Sequence, residues 1–190
     1  QTFLLRTSIL DLLTGPLCDA VSGQKDGFET LETLEQANLF VIPLDDERRW
    51  YRYHHLFAEV LRALLQRSAG KEGLVPLHTR AAEWYEEQGE TNAAFKHALA
   101  AGDVEGAARL VEENWLRVGH AGRMNTILRW LESIPREAVQ ARPILSLAYA
   151  WALWLTGRTD AVEPHLDAAD EVWERRAAAG TLDPEDARWR

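Results

Sequence analysis

The sequence contains one cysteine and one methionine in 190 residues. A lone Cys18 excludes an intramolecular disulfide and a cysteine-based metal centre. No apolar run reaches the length of a membrane span. The opening stretch QTFLLRTSILDLL lacks the charged start and small-residue cleavage site of a secretory signal. These absences point to a reducing, cytoplasmic setting. Positive charge is also short: 21 Lys and Arg stand against 30 Asp and Glu, a net charge of -9. Gripping DNA takes a clustered basic face, so no direct nucleic-acid binding is expected of this chain.

Catalytic signatures are missing as well. AGKEG at residues 69–73 contains Gly-Lys, but without the leading glycine or the Ser/Thr of a phosphate-binding GxxxxGK[ST] loop. There is no GxSxG elbow and no HExxH. The carboxylates Glu83, Glu86, Glu87 and Glu90 fall at helical spacing and read as a solvated face rather than an acid pair in a cleft. The chain is therefore read as non-enzymatic, with no metal.

What is present is helical pattern. TFLLRTSILDLL places Leu4, Leu5, Ile9, Leu12 and Leu13 at helical spacing. Gly15-Pro16 breaks it, and PLCDAVSG reads as a short second helix from Pro16 to Gly23. In GFETLETLEQANL, Phe28, Leu31, Leu34 and Ala37 share one face, Glu29, Glu32 and Glu35 lie outside, and Asn38 caps the end. The period then changes. LFVIPL and RWYRYH flank the polar turn DDER, the pattern of a hairpin. Helix resumes near His55 with an apolar stripe of Leu56, Phe57, Val60, Leu61 and Leu64. Three helices, a two-stranded wing and a closing helix make a winged-helix layout. The third helix, ETLETLEQ, is acidic and would repel phosphate.

A break is expected at RSAGKEGLVP, residues 67–76, where Gly70, Gly73 and Pro76 cluster. Beyond it no strand signal occurs. The remainder shows self-similarity: segments beginning at Gly89, Gly122 and Gly157 lie 33 and 35 residues apart, bracketing the period of about 34 residues of tetratricopeptide repeats. The first and last copies align Gly89 with Gly157, Thr91 with Thr159, Ala93 with Ala161, His97 with His165 and Ala100 with Ala168. The middle copy carries bulky Ile127 and Leu128 instead of alanine. Each glycine is expected to end one helix of a pair, and the pairs to stack. The reading is mainly α: a winged-helix domain with one short β-hairpin over residues 1–69, then a tetratricopeptide-like helical-repeat arm over 70–190. The opening on apolar residues, and a helix start at Asp183-Pro184, read as a segment of a longer protein.

Two groups of residues are candidates for function. His54 and His55 are adjacent, so their side chains diverge and do not chelate one metal together; His55 reads as a packing or capping residue. Trp84, Trp115, Trp130, Trp151, Trp154 and Trp173 read as packing between helices. Of these, Trp151 and Trp154, with Tyr149, are best placed to line a ligand groove.

Taken together, FLLRTSILDLLTGPLCDAV, ANLFVIPLDDERRWYRYHHLFAEVLRALL, LHTRAAEWYEEQG, AFKHALAAGD and RPILSLAYAWALWLTGRTDAVEPHLDAA resemble the middle of the MalT-like, LuxR-type ATP-dependent transcriptional activators, of the STAND class of signalling NTPases. The resemblance covers nearly the whole chain. It implies an upstream nucleotide-binding domain that takes ATP or ADP, a downstream repeat sensor and helix-turn-helix, and an inducer that is a small molecule or a protein. The full-length protein would be a slow ATPase switch, and this segment its interdomain relay, with no cofactor of its own. YRYHHLFAEVL also looks like the Met-His-Asp-Leu motif of the plant NLR proteins, with Tyr53 on the Met, His54 on the His, His55 on the Asp and Leu56 on the Leu. In those relatives the histidine reaches the β-phosphate of ADP and locks the off state, so the resemblance makes His54 a phosphate sensor; His55 departs from the motif. The alternative reading is a free-standing helical-repeat adaptor that binds a protein partner.

Overall fold

A computed structural model describes residues 2–182; the expected helix start at Asp183-Pro184 lies outside them. By internal packing the chain divides into two compact units, parting between Gly102 and Asp103.

The first unit begins with α1 (Thr2–Thr7), α2 (Gly15–Ser22) and α3 (Gly27–Gln36), followed by β1 (Val41–Pro43), β2 (Tyr51–Tyr53), α4 (His55–Glu87) and α5 (Thr91–Ala101). Thr14 caps α2, its hydroxyl accepting from the Leu17 N–H at 3.3 Å, with Pro16 in the first turn and Gly23 closing the helix in a left-handed conformation. This is the arrangement in which each end residue satisfies backbone groups the helix leaves unpaired. β1 and β2 are antiparallel, with Val41 opposite Tyr53 and Pro43 opposite Tyr51. Leu10, Leu13, Leu17, Val21, Leu31 and Tyr51 form the centre of the core.

The first helix is shorter than its apolar spacing predicts, ending at Thr7. Leu13 instead runs beside Tyr51 as a third strand position, its N–H donating to the Tyr51 carbonyl at 2.8 Å and its carbonyl accepting at 2.9 Å. Ile9, Leu10 and Leu13 are buried all the same, whereas Leu12 is exposed. Their spacing reports burial, and the hydrogen bonds to Tyr51 decide the backbone form. Phe28 and Ala37 are exposed too, leaving Leu31 and Leu34 as the buried face of α3.

The expected break over residues 67–76 is also narrower. α4 continues through it with one kink at Gly70, whose φ of 63° and ψ of -175° only glycine adopts readily. Pro76 is accommodated within the second segment.

The second unit contains α6 (Val104–His120), α7 (Met124–Ser133), α8 (Arg136–Gln140), α9 (Pro143–Leu155), a 3-10 turn (Thr159–Ala161) and α10 (Glu163–Ala178). Asp103 caps α6 through the Gly106 N–H at 2.8 Å. Arg142, at the start of α9, reaches Glu105 and Glu112 of α6 at 2.5 Å each. The core holds Trp115, Ile127, Trp130, Leu131, Leu145 and Trp173. Gly89, Gly122 and Gly157 all have φ near the left-handed value, at 74°, 73° and 79°, after α4, α6 and α9 respectively. Each ends the first helix of a pair, as the repeat pattern requires. The fold is mainly α with a single two-stranded hairpin among the described residues.

Candidate functional site

The junction between β2 and α4 is built from alternation. Tyr51 and Tyr53 point inward and Arg52 outward, as successive strand residues must. The Tyr53 hydroxyl lies 2.7 Å from the Thr7 hydroxyl, which also donates to the Phe3 carbonyl at 2.8 Å. Burial raises the Tyr53 phenol above its ordinary range, so it stays neutral in that bond. At the far end of the hairpin, one Asp45 oxygen accepts from the N–H groups of Arg49 at 2.9 Å and Trp50 at 3.0 Å. These bonds shape the turn, hold the Asp45 carboxyl below its usual range, and fix where β2 begins.

His54 is the first residue past the strand. Its N–H donates to the Phe40 carbonyl at 2.7 Å, and its carbonyl accepts from Ala58, opening α4. It therefore occupies the cap position of α4 by backbone, with φ -57° and ψ 134°, yet its side chain makes no capping bond. The ring is half-buried and tilts against the exposed His55 ring at 4.7 Å. Phe40 itself has φ 59°, uncommon for a bulky residue, and stacks on Phe57 at 5.1 Å. Main-chain geometry thus locates the imidazole and leaves its nitrogens unengaged.

The apolar stripe expected on α4 splits in two. Leu61 is buried, joined by Ala58 and Leu65, and Phe57 is half-buried. Leu56, Val60 and Leu64 are 58%, 56% and 47% exposed. At four-residue steps these three lie along one face. They form an uncovered apolar arc that starts beside His55 and, through Phe57, adjoins Phe40, itself exposed. The sequence pattern marks both arcs as apolar and carries nothing to separate them.

The groove candidates are not brought together on one face of α9. Tyr149 is half-buried and lies 4.1 Å from the His165 ring of α10. Trp151 meets Trp115 of α6 edge-on at 5.5 Å. Trp154 is 60% exposed.

Sequence reasoning passed over a second histidine pair. His78 of α4 and His97 of α5 place their Nδ1 atoms 2.9 Å apart, and His97 stacks on Tyr85 at 5.5 Å. Burial, followed by the neighbouring His78 and Lys96, pushes His97 down to about 4; burial and then Lys96 lower His78. Only the match of His97 with His165 in the repeat alignment hinted at it: both repeat histidines lie against a tyrosine ring. Among the described residues no three His, Cys, Asp or Glu gather as a metal site, and no helix is long and apolar enough to cross a membrane.

A mainly helical chain with a small wing between its third and fourth helices defines a winged-helix module continued by helical pairs. Comparison with known proteins agrees. Residues 1–73 match the family described as the MalT winged helix domain. The chain is 33% identical over 178 residues to the HTH-type transcriptional regulator MalT of Yersinia enterocolitica, covering 93% of this chain and 19% of that protein. It is 32% identical over 172 residues to MalT of Cronobacter sakazakii, covering 90% and 19%. Serine/threonine-protein kinase PknK of Mycobacterium tuberculosis H37Rv is 37% identical over 152 residues, covering 80% and 14%. The chain is thus a MalT-like segment along most of its length. It spans less than a fifth of these relatives.

Proposed function

We propose that this segment is the interdomain relay of an ATP-dependent, LuxR-type regulator, coupling nucleotide state and inducer binding to output. The nucleotide, ATP or ADP, would occupy an upstream domain. His54 would donate an imidazole N–H to a phosphate oxygen of ADP, a charge-assisted bond that favours the closed state. An inducer, a small molecule or a protein, would act on the repeat arm with Tyr149, Trp151 and Trp154 as weaker candidates for contact. A downstream helix-turn-helix would bind DNA; this segment would not. The full-length protein would turn ATP over slowly, as a switch, in the cytoplasm.

The observation that carries the reading is His54. It stands at a strand-to-helix junction, half-buried, with no side-chain hydrogen bond in its own unit, at the start of the helix that bears the uncovered arc of Leu56, Val60 and Leu64. A group fixed by main chain and left unpaired beside an apolar surface suits contact across a domain interface. Similarity to stretches of both a transcriptional regulator and a kinase supports a coupling role for this segment rather than an output of its own. Any such shift requires each ligand to prefer one state energetically.

The test is ADP retention by the full-length protein, wild type against His54→Ala, with His55→Ala as control. Faster ADP release and raised basal activity in His54→Ala alone support the lock. Equal retention by all three makes His54 a packing residue and the segment a passive scaffold.

A further inference from the structure

The His78–His97 pair lies apart from the junction and has no part in the relay as proposed. Its rings are 5.1 Å apart by centroid, while the Nδ1 atoms are 2.9 Å apart. Those two distances mean the nitrogens point at one another. A hydrogen bond there needs one Nδ1 to carry the proton and the other to accept it, so the two rings hold opposite tautomers. His97 is 3% exposed and His78 half-buried.

The surroundings offer little relief for added charge. Lys96 is the next residue on α5 and is cationic. Asp11, on the loop after α1, is the nearest carboxylate, but it is already paired with Lys96 and with Arg62 at 3.1 Å. Tyr85 of α4, which covers His97, is itself kept neutral, burial pushing it up to about 12, with Asp11, Cys18 and Glu90 adding to the effect. A protonated imidazole on the buried ring would therefore be desolvated and face His78 and the cationic Lys96, costs that outweigh the help from Asp11, which is shared with Lys96 and Arg62.

We infer that His78 and His97 form a proton-sensitive clasp between α4 and α5, closed while His97 is neutral and opened when that ring is protonated. The proton economy follows from the tautomers. With His78 as donor, its Nε2 can take a proton and the Nδ1–H still points at His97. A proton on His97 itself must go to the accepting Nδ1, which removes the only acceptor and sets two N–H groups face to face. With His78 as the donor, the clasp tolerates one added proton, on His78, and fails with one on His97. α5 is the last helix before the division at Gly102, so its release is a local opening confined to the end of the first unit.

The experiment is a pH series on the whole protein. Nitrogen NMR of the imidazoles at pH 7 is expected to show His78 protonated at Nδ1 and His97 at Nε2. Hydrogen exchange in α5, corrected for the chemical exchange rate, is expected to show opening that rises roughly 20-fold from pH 7 to pH 5, for a ring shifted from an ordinary 6.5 to about 4. The sign follows from the depressed value: stability present above 6.5 is lost as the pH falls towards 4. In His97→Leu the α5 response should shrink below about threefold on the same linkage argument. Two rings of the same tautomer, the reverse assignment with His97 as the Nδ1–H donor, an unchanged α5 in wild type, or a response that persists in His97→Leu would each overturn the clasp. The tautomer measurement needs no variant and stands even if His97→Leu does not fold.

Discussion

Adding one methyl group at Gly119 sets two effects of opposite sign against each other. Gly119 is in the last turn of α6, where alanine in place of glycine is worth about 1 kcal/mol in helix propensity. A Cβ there would sit 2.4 Å and 2.7 Å from the Cζ3 and Cη2 atoms of Trp151, and 3.0 Å from Cε of Met124. Carbon atoms rest about 3.5–4.0 Å apart, so the indole must retreat by about 1 Å. It is poorly placed to do so, because its ring meets buried Trp115 edge-on at 5.5 Å. Overpacking of this kind costs about 1–3 kcal/mol, and the clash wins: Gly119→Ala should destabilise the second unit by about 1–2 kcal/mol net, read as a lower urea midpoint at unchanged slope. With Trp151→Leu already in place the same change should become stabilising, because only the propensity gain remains. A double-mutant cycle gives the coupling directly. If Gly119→Ala raises stability with Trp151 intact, the packing argument is wrong and Trp151 is free to move as a ligand contact would.

Three more expectations come from the first unit. Gly70→Ala should lower stability by about 1–3 kcal/mol by denaturant titration, although no atom lies within 4 Å of its missing Cβ, because the cost is in φ 63° alone. Leu61→Ala should cost about 2–5 kcal/mol, whereas Val60→Ala, one position earlier but exposed, should stay within about 0.5 kcal/mol; equal losses would refute the division of the α4 stripe. Tyr53→Phe should cost about 1 kcal/mol by thermal melt, since the Thr7 hydroxyl keeps its bond to Phe3.

The elements most legible in the sequence were those with their own punctuation. Pro16 and Gly23 bracket α2, the switch from helical spacing to alternation marks the hairpin, and Gly89, Gly122 and Gly157 mark the helical pairs. Asn38 does take the left-handed conformation that ends α3. What the pattern did not carry was long-range. The end of α1 at Thr7 depends on Leu13 pairing with Tyr51, 38 residues away. The exposure of Leu56, Val60 and Leu64 depends on what packs against α4, and apolar spacing is the same for a covered face and a bare one. The His78–His97 contact joins residues on two helices, so no local spacing announces it. His54 was recognisable only through a family motif; its unpaired side chain and its backbone tie to Phe40 are facts of the fold.

The central claim is that the uncovered face of α4, with His54 at the start of that helix, is an interdomain surface whose cover depends on nucleotide. It is tested most directly by maleimide labelling of a Val60→Cys variant of the full-length protein. Native Cys18 gives little background, being fully buried with its thiol pushed up to about 12. The account predicts slow labelling with ADP and faster labelling with ATP and inducer, and the difference should vanish when His54→Ala is added. Labelling at one rate under all nucleotide conditions would contradict it, and would leave the arc as a surface that plays no part in switching.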